Sequence, residues 1–458
     1  MEESVPRHEF WIDRGGTFTD CIYRNPATGE LRALKVLSSD EAPIEGIRAL
    51  LGLESDATLP RCEVRMGTTL ATNALLERQG YPCALLTNEG LADLVRIGDQ
   101  TRPELFALAI ERPAALPELI LETEARANAD GSRIRAHDAE SLRARLRAAR
   151  NAGARSLAVS LIHAYRDGAL ERDAARIAEG LGFEQVSLSH EVSNELGLLG
   201  RTDTTVANAY LTPLLTNYMK KLERLLGPDR LRMMQSNGGL VDARAFVGRH
   251  AVLSGPAAGV VATAAVAAEL GLSEVIGFDM GGTSTDVSRY AGTLNRVFET
   301  EIAGIRVRAP MIELHTVAAG GGSICALEAK RMTVGPDSAG ATPGPLCYGA
   351  PDAKELALTD VSLFLGRIAS DRFPFPLERA PVQSKLEGII EQLRAIGVVR
   401  SADEAASGFL RVAVENMAAA IQKVSLGRGH DVRTHAIVVF GGAGGQYACM
   451  VAERLGVR

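Results

Sequence analysis

The sequence predicts an α/β protein built as two similar domains. Three observations carry this. Short apolar runs alternate with amphipathic helical patterns along the chain, one eight-residue segment occurs twice, and each copy follows an apolar run of strand length.

Strands are predicted where apolar runs stand between turn signals, at 10–12, 31–37, 83–87, 156–161, 275–278 and 437–440. Helices are predicted at 42–51, 139–152, 170–181, 206–226, 384–396 and 405–426, several with apolar residues three and four apart. The stretch 102–124 mixes proline with charge and 335–355 is rich in glycine and proline, so both read as loops or insertions. The run 251–272 is rich in alanine and glycine, but Ser254, Pro256 and Glu269 interrupt it and make it a poor membrane span.

With 458 residues, 46% hydrophobic and 23% charged, the chain has material for more than one core, and two or three domains are expected. A net charge of −6 argues against a broad footprint on nucleic acid or anionic lipid, so neither is an expected partner. The acidic N-terminus lacks the basic start and apolar segment of a secretory signal. Six cysteines, at 21, 62, 83, 325, 347 and 449, form no CxxC pair, which resembles neither a disulfide framework nor a zinc site. The reducing cytoplasm is the expected compartment.

The repeated segment is 13–20 (DRGGTFTD) and 279–286 (DMGGTSTD), identical at six of eight positions. The spacing is far longer than a solenoid period, so the economical reading is one copy on each of two α/β domains. In each copy a strand ends on an Asp and turns through Gly-Gly-Thr. Glycines let backbone N–H groups approach an anion and the Thr adds a hydroxyl donor. Gly15, Gly16 and Thr17, with Gly281, Gly282 and Thr283, are therefore the expected phosphate-binding residues. A carboxylate does not favour phosphate, so Asp13 and Asp279 are expected to hold a hydrated Mg2+ or to orient an attacking group. A single loop of this kind reads equally as an Asp-capped hairpin turn. The matched pair favours phosphate, and two such loops facing one another would enclose a cleft.

A third glycine cluster, Gly441, Gly442, Gly444 and Gly445, sits between an apolar run and a helical pattern, a strand-turn-helix layout that suits a nucleotide or close packing. A fourth, Gly320 to Gly322, follows His315, which is either a substrate-side acid, base or ligand or a satisfied histidine at a strand end. Thr68, Thr69 and Asn73 begin a helical segment after Gly67 and either bind substrate or cap the helix. The chain has no GxxxxGK[ST] loop, no GxGxxG after the first strand, no GxSxG around Ser254 and no HExxH or HxxxH spacing. P-loop, Rossmann, serine-hydrolase and protein-ligated zinc chemistry are thereby disfavoured.

The segments 10–20, 67–78, 278–286 and 440–449 resemble the hydantoinase A/5-oxoprolinase family, and the resemblance spans nearly the whole chain. It implies the actin-like ATPase fold shared with sugar kinases and Hsp70 chaperones, two RNase-H-like domains with a nucleotide cleft between them. The domains are expected at 1–205 and 206–458, the second cut short at Arg458 because A-type chains continue past this point. The resemblance assigns Asp13 and Asp279 to the two phosphate loops and Gly441 to Gly445 to an adenosine loop. It implies ATP and Mg2+, a lactam or imide substrate, a B-type partner subunit or domain, and an oligomer. Family members phosphorylate the ring oxygen to open the ring, and relatives carboxylate ketones. Arg14 within FWIDRGGTFTD resembles the 5-oxoprolinase branch, where N-methylhydantoinases more often have Val, so 5-oxo-L-proline is the expected substrate and L-glutamate the product. Tyr447 departs from the family, which usually has His there. A sugar-kinase-like metabolite kinase and a non-catalytic, chaperone-like ATPase are the readings from other classes.

Overall fold

The computed structural model describes residues 8–102, 106, 108–110, 113–228, 230–373, 375–395, 397 and 401–457. The start on which the leader reading rests lies outside the described residues, as do 103–105, 107, 111 and 112 within the first loop stretch, Ile396 at the end of a predicted helix, and Arg458. Packing divides the chain into two units. Unit one is Met1–Gly15, Thr19–Gly255 and Arg296–Met311; unit two is Gly16–Phe18, Pro256–Asn295 and Ile312–Arg458. This division falls at a different place from position 205/206, and the reason is a single long helix that crosses it.

Unit one contains β1 (His8–Arg14), β2 (Phe18–Arg24), β3 (Leu31–Leu37), α1 (Ala42–Leu51), β4 (Cys62–Thr68), α2 (Leu70–Leu76) and β5 (Cys83–Asn88). It continues through β6 (Leu119–Thr123), α3 (Ala139–Asn151), β7 (Ser156–Val159), α4 (Ala169–Ala178), β8 (Gln185–Leu188), α5 (Leu198–Leu226), β9 (Leu231–Met234) and β10 (Leu240–Asp242). A six-stranded sheet has the order β10-β9-β4-β1-β2-β3, and a second sheet has the order β8-β7-β5-β6. Alternate residues of β1 and β4, Phe10, Ile12, Val64 and Met66, are buried in one core with Ile44 and Ile47 of α1 and Val206, Leu211 and Leu215 of α5. This is the burial that period-two strands and period-3.6 helices produce when their apolar faces meet.

α5 begins eight residues before the predicted helix. Its first turns, Leu-Leu-Gly-Arg-Thr-Asp-Thr-Thr, show no apolar stripe because they are buried on most sides. The hydroxyls are satisfied within the helix: Thr202 donates to the Leu198 carbonyl (2.8 Å), Thr204 to Gly200 (2.7 Å) and Thr205 to Arg201 (2.6 Å). β6 is likewise a strand inside a stretch read as loop. It is an edge strand that lies parallel to β5, and its Leu-Ile-Leu run supplies the pairing.

Unit two contains most of α6 (Ser254–Glu269), then β11 (Val275–Met280), β12 (Thr285–Tyr290), β13 (His315–Val317) and the hairpin β14 (Ser323–Glu328) and β15 (Arg331–Ser338). α7 (Leu358–Phe364), α8 (Ala380–Ala395), α9 (Ala402–Val424), β16 (Ala436–Phe440) and α10 (Ala448–Leu455) complete it. Its sheet has the order β13-β12-β11-β16. β15 runs to Ser338, so the second loop stretch starts as strand.

The sequence repeat is a repeat of architecture. β1 pairs antiparallel with β2 so that Asp13 faces Asp20, and β11 pairs antiparallel with β12 so that Asp279 faces Asp286. On the other side β4 runs parallel to β1, as β16 runs parallel to β11. β4 leads through Gly67-Thr68-Thr69 into α2, and β16 leads through the third glycine cluster into α10. Among the described residues no helix is long and apolar enough to cross a membrane.

Candidate functional site

In unit one the parallel strands β1, β4 and β9 end at one edge of the sheet, the edge at which open α/β sheets bind ligands. Asp13 is level with Gly67 and Arg14 with Thr68. The turn after β4 is tied to the end of β1, because Thr69 donates to the Arg14 carbonyl through N–H (3.1 Å) and through its hydroxyl (3.3 Å). Thr68 is buried and its Oγ1 accepts from Leu70 N (3.1 Å), while Thr69 holds the N-cap position of α2 without a side-chain capping bond. Asn73 reaches back to Thr69 Oγ1 at 3.4 Å. Gly255 belongs to the same group: a Cβ there would lie 3.5 Å from Asp13 Oδ1 and 3.3 Å from Thr69 Cγ2. Asp13, Thr68, Thr69 and Asn73 are thus gathered at one edge.

Arg14 lies beside this edge but is engaged elsewhere. Its Nε donates to the Ser39 carbonyl (3.2 Å), Nη2 pairs with Asp40 (3.1 Å), and the guanidinium lies 4.8 Å from the centre of the Tyr218 ring. It braces the connection after β3, while Ser38 donates to the Gly15 carbonyl at 2.8 Å and holds the loop from the same side.

In unit two, three glycine-rich turns meet at the end of β11. Gly281 N–H closes the turn onto the Ser284 carbonyl at 3.0 Å, so it is spent within the loop; the exposed Gly282 and Thr283 follow it. The fourth glycine cluster packs onto this turn: Gly321 N–H donates to Gly281 O (3.0 Å) and Gly322 N–H to Gly282 O (2.6 Å). Thr359 fixes that cluster through its N–H and its hydroxyl, both 2.7 Å from Gly321 O. The third cluster is joined by Ala443 N–H to Met280 O, 2.9 Å.

The residue that must be glycine for conformational reasons is Gly441 rather than Gly281 or Gly282. Its φ is +81°, and a Cβ would stand 2.4 Å from Asp279 Oδ1. Gly281 and Gly282 have no positive φ and a Cβ would meet nothing closer than 3.5 Å, so their small size leaves the surface open instead. A Cβ on Gly442 or Gly445 would meet nothing within 4 Å, whereas Gly444 packs against Val439. Next to Gly445, Gln446 Oε1 is buried with no hydrogen-bond partner among the described residues, an acceptor in want of a donor.

Asp286 and Thr316 share the face of Asp279 by strand register, and Thr316 donates to Asp286 Oδ1. Burial pushes the Asp286 carboxyl up to about 6. His315 is on the opposite face, with Phe278 and Val287, which are fully buried. Burial, and then the Lys423 charge, push its pKa down. The structure therefore leaves His315 on the core side of the sheet from Asp279. Tyr447 is fully buried in the unit-two core, with its hydroxyl 2.6 Å from Ser362 Oγ, so it fills space.

Among the described residues no group of three or more His, Cys, Asp or Glu forms a metal cage. One carboxylate at each loop still fits Mg2+, which keeps waters and takes phosphate oxygens for the rest of its shell. The Gly441 turn and the orphaned Gln446 acceptor fit a nucleotide with hydrogen-bond donors on its base.

Unit one holds a further polar group at the same edge, one that no spacing rule picks out. Gln235, Asn237, Arg249 and His250 stand beside the ends of β9 and β4; the only signal in the sequence is a Ser-Asn-Gly-Gly turn after a short apolar run.

Comparison with known proteins bears on the whole chain. The Hydantoinase/oxoprolinase family model matches residues 201–458, and that of the Hydantoinase/oxoprolinase N-terminal region matches 9–182. 5-Oxoprolinase 1 of Arabidopsis thaliana is 39% identical over 98% of this chain and 40% of its own length. The chain thus spans about two fifths of the curated oxoprolinases it matches. The crystal structure of the ATP-dependent caprolactamase from Pseudomonas jessenii is 32% identical, with a TM-score of 0.79 over 98% of this chain and 68% of that one. A nucleotide-free acetone carboxylase has the same mixed α/β fold, with a TM-score of 0.84 at 22% identity over 99% and 68%.

Proposed function

Because this chain belongs to the hydantoinase/oxoprolinase family, we propose that it binds Mg-ATP on its glycine-rich loops and uses it to open a cyclic amide, 5-oxo-L-proline, to L-glutamate. The observation that carries the nucleotide is the meeting of three glycine turns at Asp279, where Gly441 admits no Cβ. The 39% identity to an oxoprolinase supports the substrate. The two units are RNase-H-like domains of the actin, Hsp70 and sugar-kinase kind. This assignment is supported by the unit-two order, in which β16 is parallel to β11 while β12 and β13 are antiparallel to their neighbours.

Asp13 on its loop and Asp279 on its own are each a carboxylate that would hold Mg2+, which supplies charge neutralisation on phosphate oxygens. On the 279–286 loop Gly282 and Thr283 would orient the γ-phosphate through N–H and hydroxyl donors, and on the 13–20 loop Gly15, Gly16 and Thr17 offer phosphate donors of the same kind. Fixed donors of this kind favour the charge that phosphoryl transfer spreads over the equatorial oxygens. The lactam oxygen then bonds to phosphorus as the bond to ADP breaks. Water adds to the ring carbon of the phosphorylated imidate, the C–N bond opens and phosphate leaves. Thr68, Thr69 and Asn73 contribute the substrate side at the unit-one edge. A B-type subunit or domain completes the ring opening, and the assembly is an oligomer of the cytoplasm.

The test is product analysis. The purified chain is first melted with and without Mg-ATP, then incubated with a B-type partner, Mg-ATP and 5-oxo-L-proline. Lactam-dependent ADP and phosphate with glutamate are expected. A stable phosphorylated metabolite would identify a kinase instead, and no Mg-dependent nucleotide stabilisation of the folded chain would reject the nucleotide loops.

A further inference from the structure

Unit one encloses a cavity of about 230 Å³. Against the ~30 Å³ that a water takes in the liquid, this is room for a small ring. Its walls are the turn 95–101, the stretch 113–117, one face of α5, and the hairpin Thr300–Ile302 with Ile305–Val307. The hairpin is fastened to its neighbours: Arg308 N–H donates to Thr204 Oγ1 of α5 (2.9 Å), and Arg78, just past α2, donates to the Ala303 carbonyl (3.0 Å). Leu116, Val206 and Ile305 are buried and make the walls apolar, and the stretch 113–117, Pro-Ala-Ala-Leu-Pro, carries no charge.

The charged groups around the cavity do not balance. Arg306 pairs with Asp99 and, at 3.2 Å, with Glu299, whose other oxygen lies 2.6 Å from Arg308 Nε. Two cations thus meet two anions. Arg96 and Glu301, both exposed, are again of opposite sign. Asp203 is left over. α5 presents it to the cavity, and among the described residues it has no hydrogen bond or ion pair. Burial pushes its carboxyl up to about 7, with Arg306 pulling the other way, so below that pH the group is a neutral acid.

This lining selects among ligands. A hard metal ion needs about six oxygens, and the apolar walls leave it one carboxyl. An organic cation meets Arg306, and an anion meets Asp203 with Asp99 beside it. A neutral molecule with a donor and an acceptor side by side meets neither penalty. A neutral carboxyl offers O–H and C=O on one edge. A cyclic amide, held cis by its ring, offers C=O and N–H on one edge, and its methylenes suit apolar walls.

We propose that this cavity is an accessory site for a small cyclic amide, whose N–H and C=O pair with the Asp203 carboxyl while the ring carbons pack on Leu116, Val206 and Ile305. The choice of a ring amide over an open-chain one rests on the proposed function. The site holds the ring and does not phosphorylate it, since no residue of the phosphate loops is among its lining.

The test is an NMR titration of the full chain, without nucleotide, with 2-pyrrolidinone and with N-methyl-2-pyrrolidinone, the same ring lacking the N–H. Melting with and without Mg-ATP runs in parallel. At pH 6 2-pyrrolidinone is expected to bind, and the N-methyl ring to bind about 10-fold or more weakly, the scale of a hydrogen bond left unmade at a buried group. From pH 6 to pH 8 the neutral fraction of a carboxyl with a pKa of about 7 falls from about nine tenths to about one tenth, so affinity should fall about 10-fold. Asp203→Asn, whose carboxamide keeps a donor and an acceptor on one edge, should bind the ring equally at both pH values. Asp203→Ala should not bind it, and Asn73→Ala, at the sheet edge, should bind it as the wild type does. No binding of 2-pyrrolidinone at pH 6, equal binding of the N-methyl ring, unchanged binding in Asp203→Ala or its loss in Asn73→Ala overturns the pocket. Absence of Mg-dependent nucleotide stabilisation while the ring still binds overturns the proposed function instead.

Discussion

A Cβ on Gly441 would stand 2.4 Å from Asp279 Oδ1 and 2.5 Å from the Met280 carbonyl oxygen. Backbone that close cannot move aside cheaply, and φ at Gly441 is +81°. Gly441→Ala is expected to lower stability by about 2 kcal/mol or more, from strain and collision together, and to abolish stabilisation by Mg-ATP. Gly445→Ala, which meets nothing within 4 Å, should unfold within about 0.5 kcal/mol of wild type and thus separates a fold effect from a ligand effect. Thermal unfolding of both variants checks this; equal behaviour would contradict it.

Asp279→Asn removes the charge and keeps the shape. A ligand at 100 times its dissociation constant stabilises the native state by about 2.7 kcal/mol, a shift of a few degrees for a chain of this size. The variant is expected to fold and to lose the Mg-dependent part of that shift. His315→Gln, on the other face of the sheet, should keep it. A full Mg-dependent shift in Asp279→Asn would remove Asp279 from the nucleotide site.

What the sequence makes legible follows from where the physical signal is local. Strand 31–37 and helix 42–51 are found to the residue, the first as a short apolar run between turn signals and the second by an apolar stripe that buries Ile44, Ile47 and Leu50. The first two turns of α5 are not legible, since Gly200, Arg201 and Thr202 are buried although their types suggest exposure. The Asp-Gly-Gly-Thr pair is visible as a repeat, but its contact with Gly321 and Gly322 joins residues some forty positions apart and leaves no spacing rule. The Gln235 and His250 pair is hidden for the same reason: single polar residues acquire meaning only when a sheet edge brings them together.

Arg201 tests how far a buried charge can be the frame of the fold. It is almost fully buried and donates to Ser189 Oγ (2.9 Å), Glu195 O (3.0 Å) and Leu161 O (2.7 Å). Ser189 passes the bond on to Glu171, which is fully buried and also accepts from Leu161 N–H and His190 N–H. Arg201→Leu strands these acceptors and the Glu171 charge, with an expected cost of about 3–5 kcal/mol. Denaturant unfolding measures it; a cost under about 1 kcal/mol would mean that water replaces the guanidinium.

Asp203, two residues on, faces a cavity of about 230 Å³ lined also by Leu116, Val206 and Arg306. Burial pushes its carboxyl up to about 7, with Arg306 pulling the other way. Between the unfolded value near 4 and the folded value about 7 the native state therefore binds the proton that the unfolded chain has released. The contribution of this group to stability is fully present below about pH 4 and is lost as pH rises through about 7. Each tenfold change in proton affinity between the folded and unfolded chain is worth about 1.4 kcal/mol, so the effect is on the order of 4 kcal/mol at most, and smaller for the part of the carboxyl that solvent reaches. Asp203→Asn cannot titrate, so it is expected to lose less stability than wild type between about pH 4 and about pH 7. The two stability profiles, measured by urea unfolding, should converge at low pH and separate toward neutrality. Parallel profiles would mean that solvent in the cavity leaves Asp203 ionised near its ordinary value.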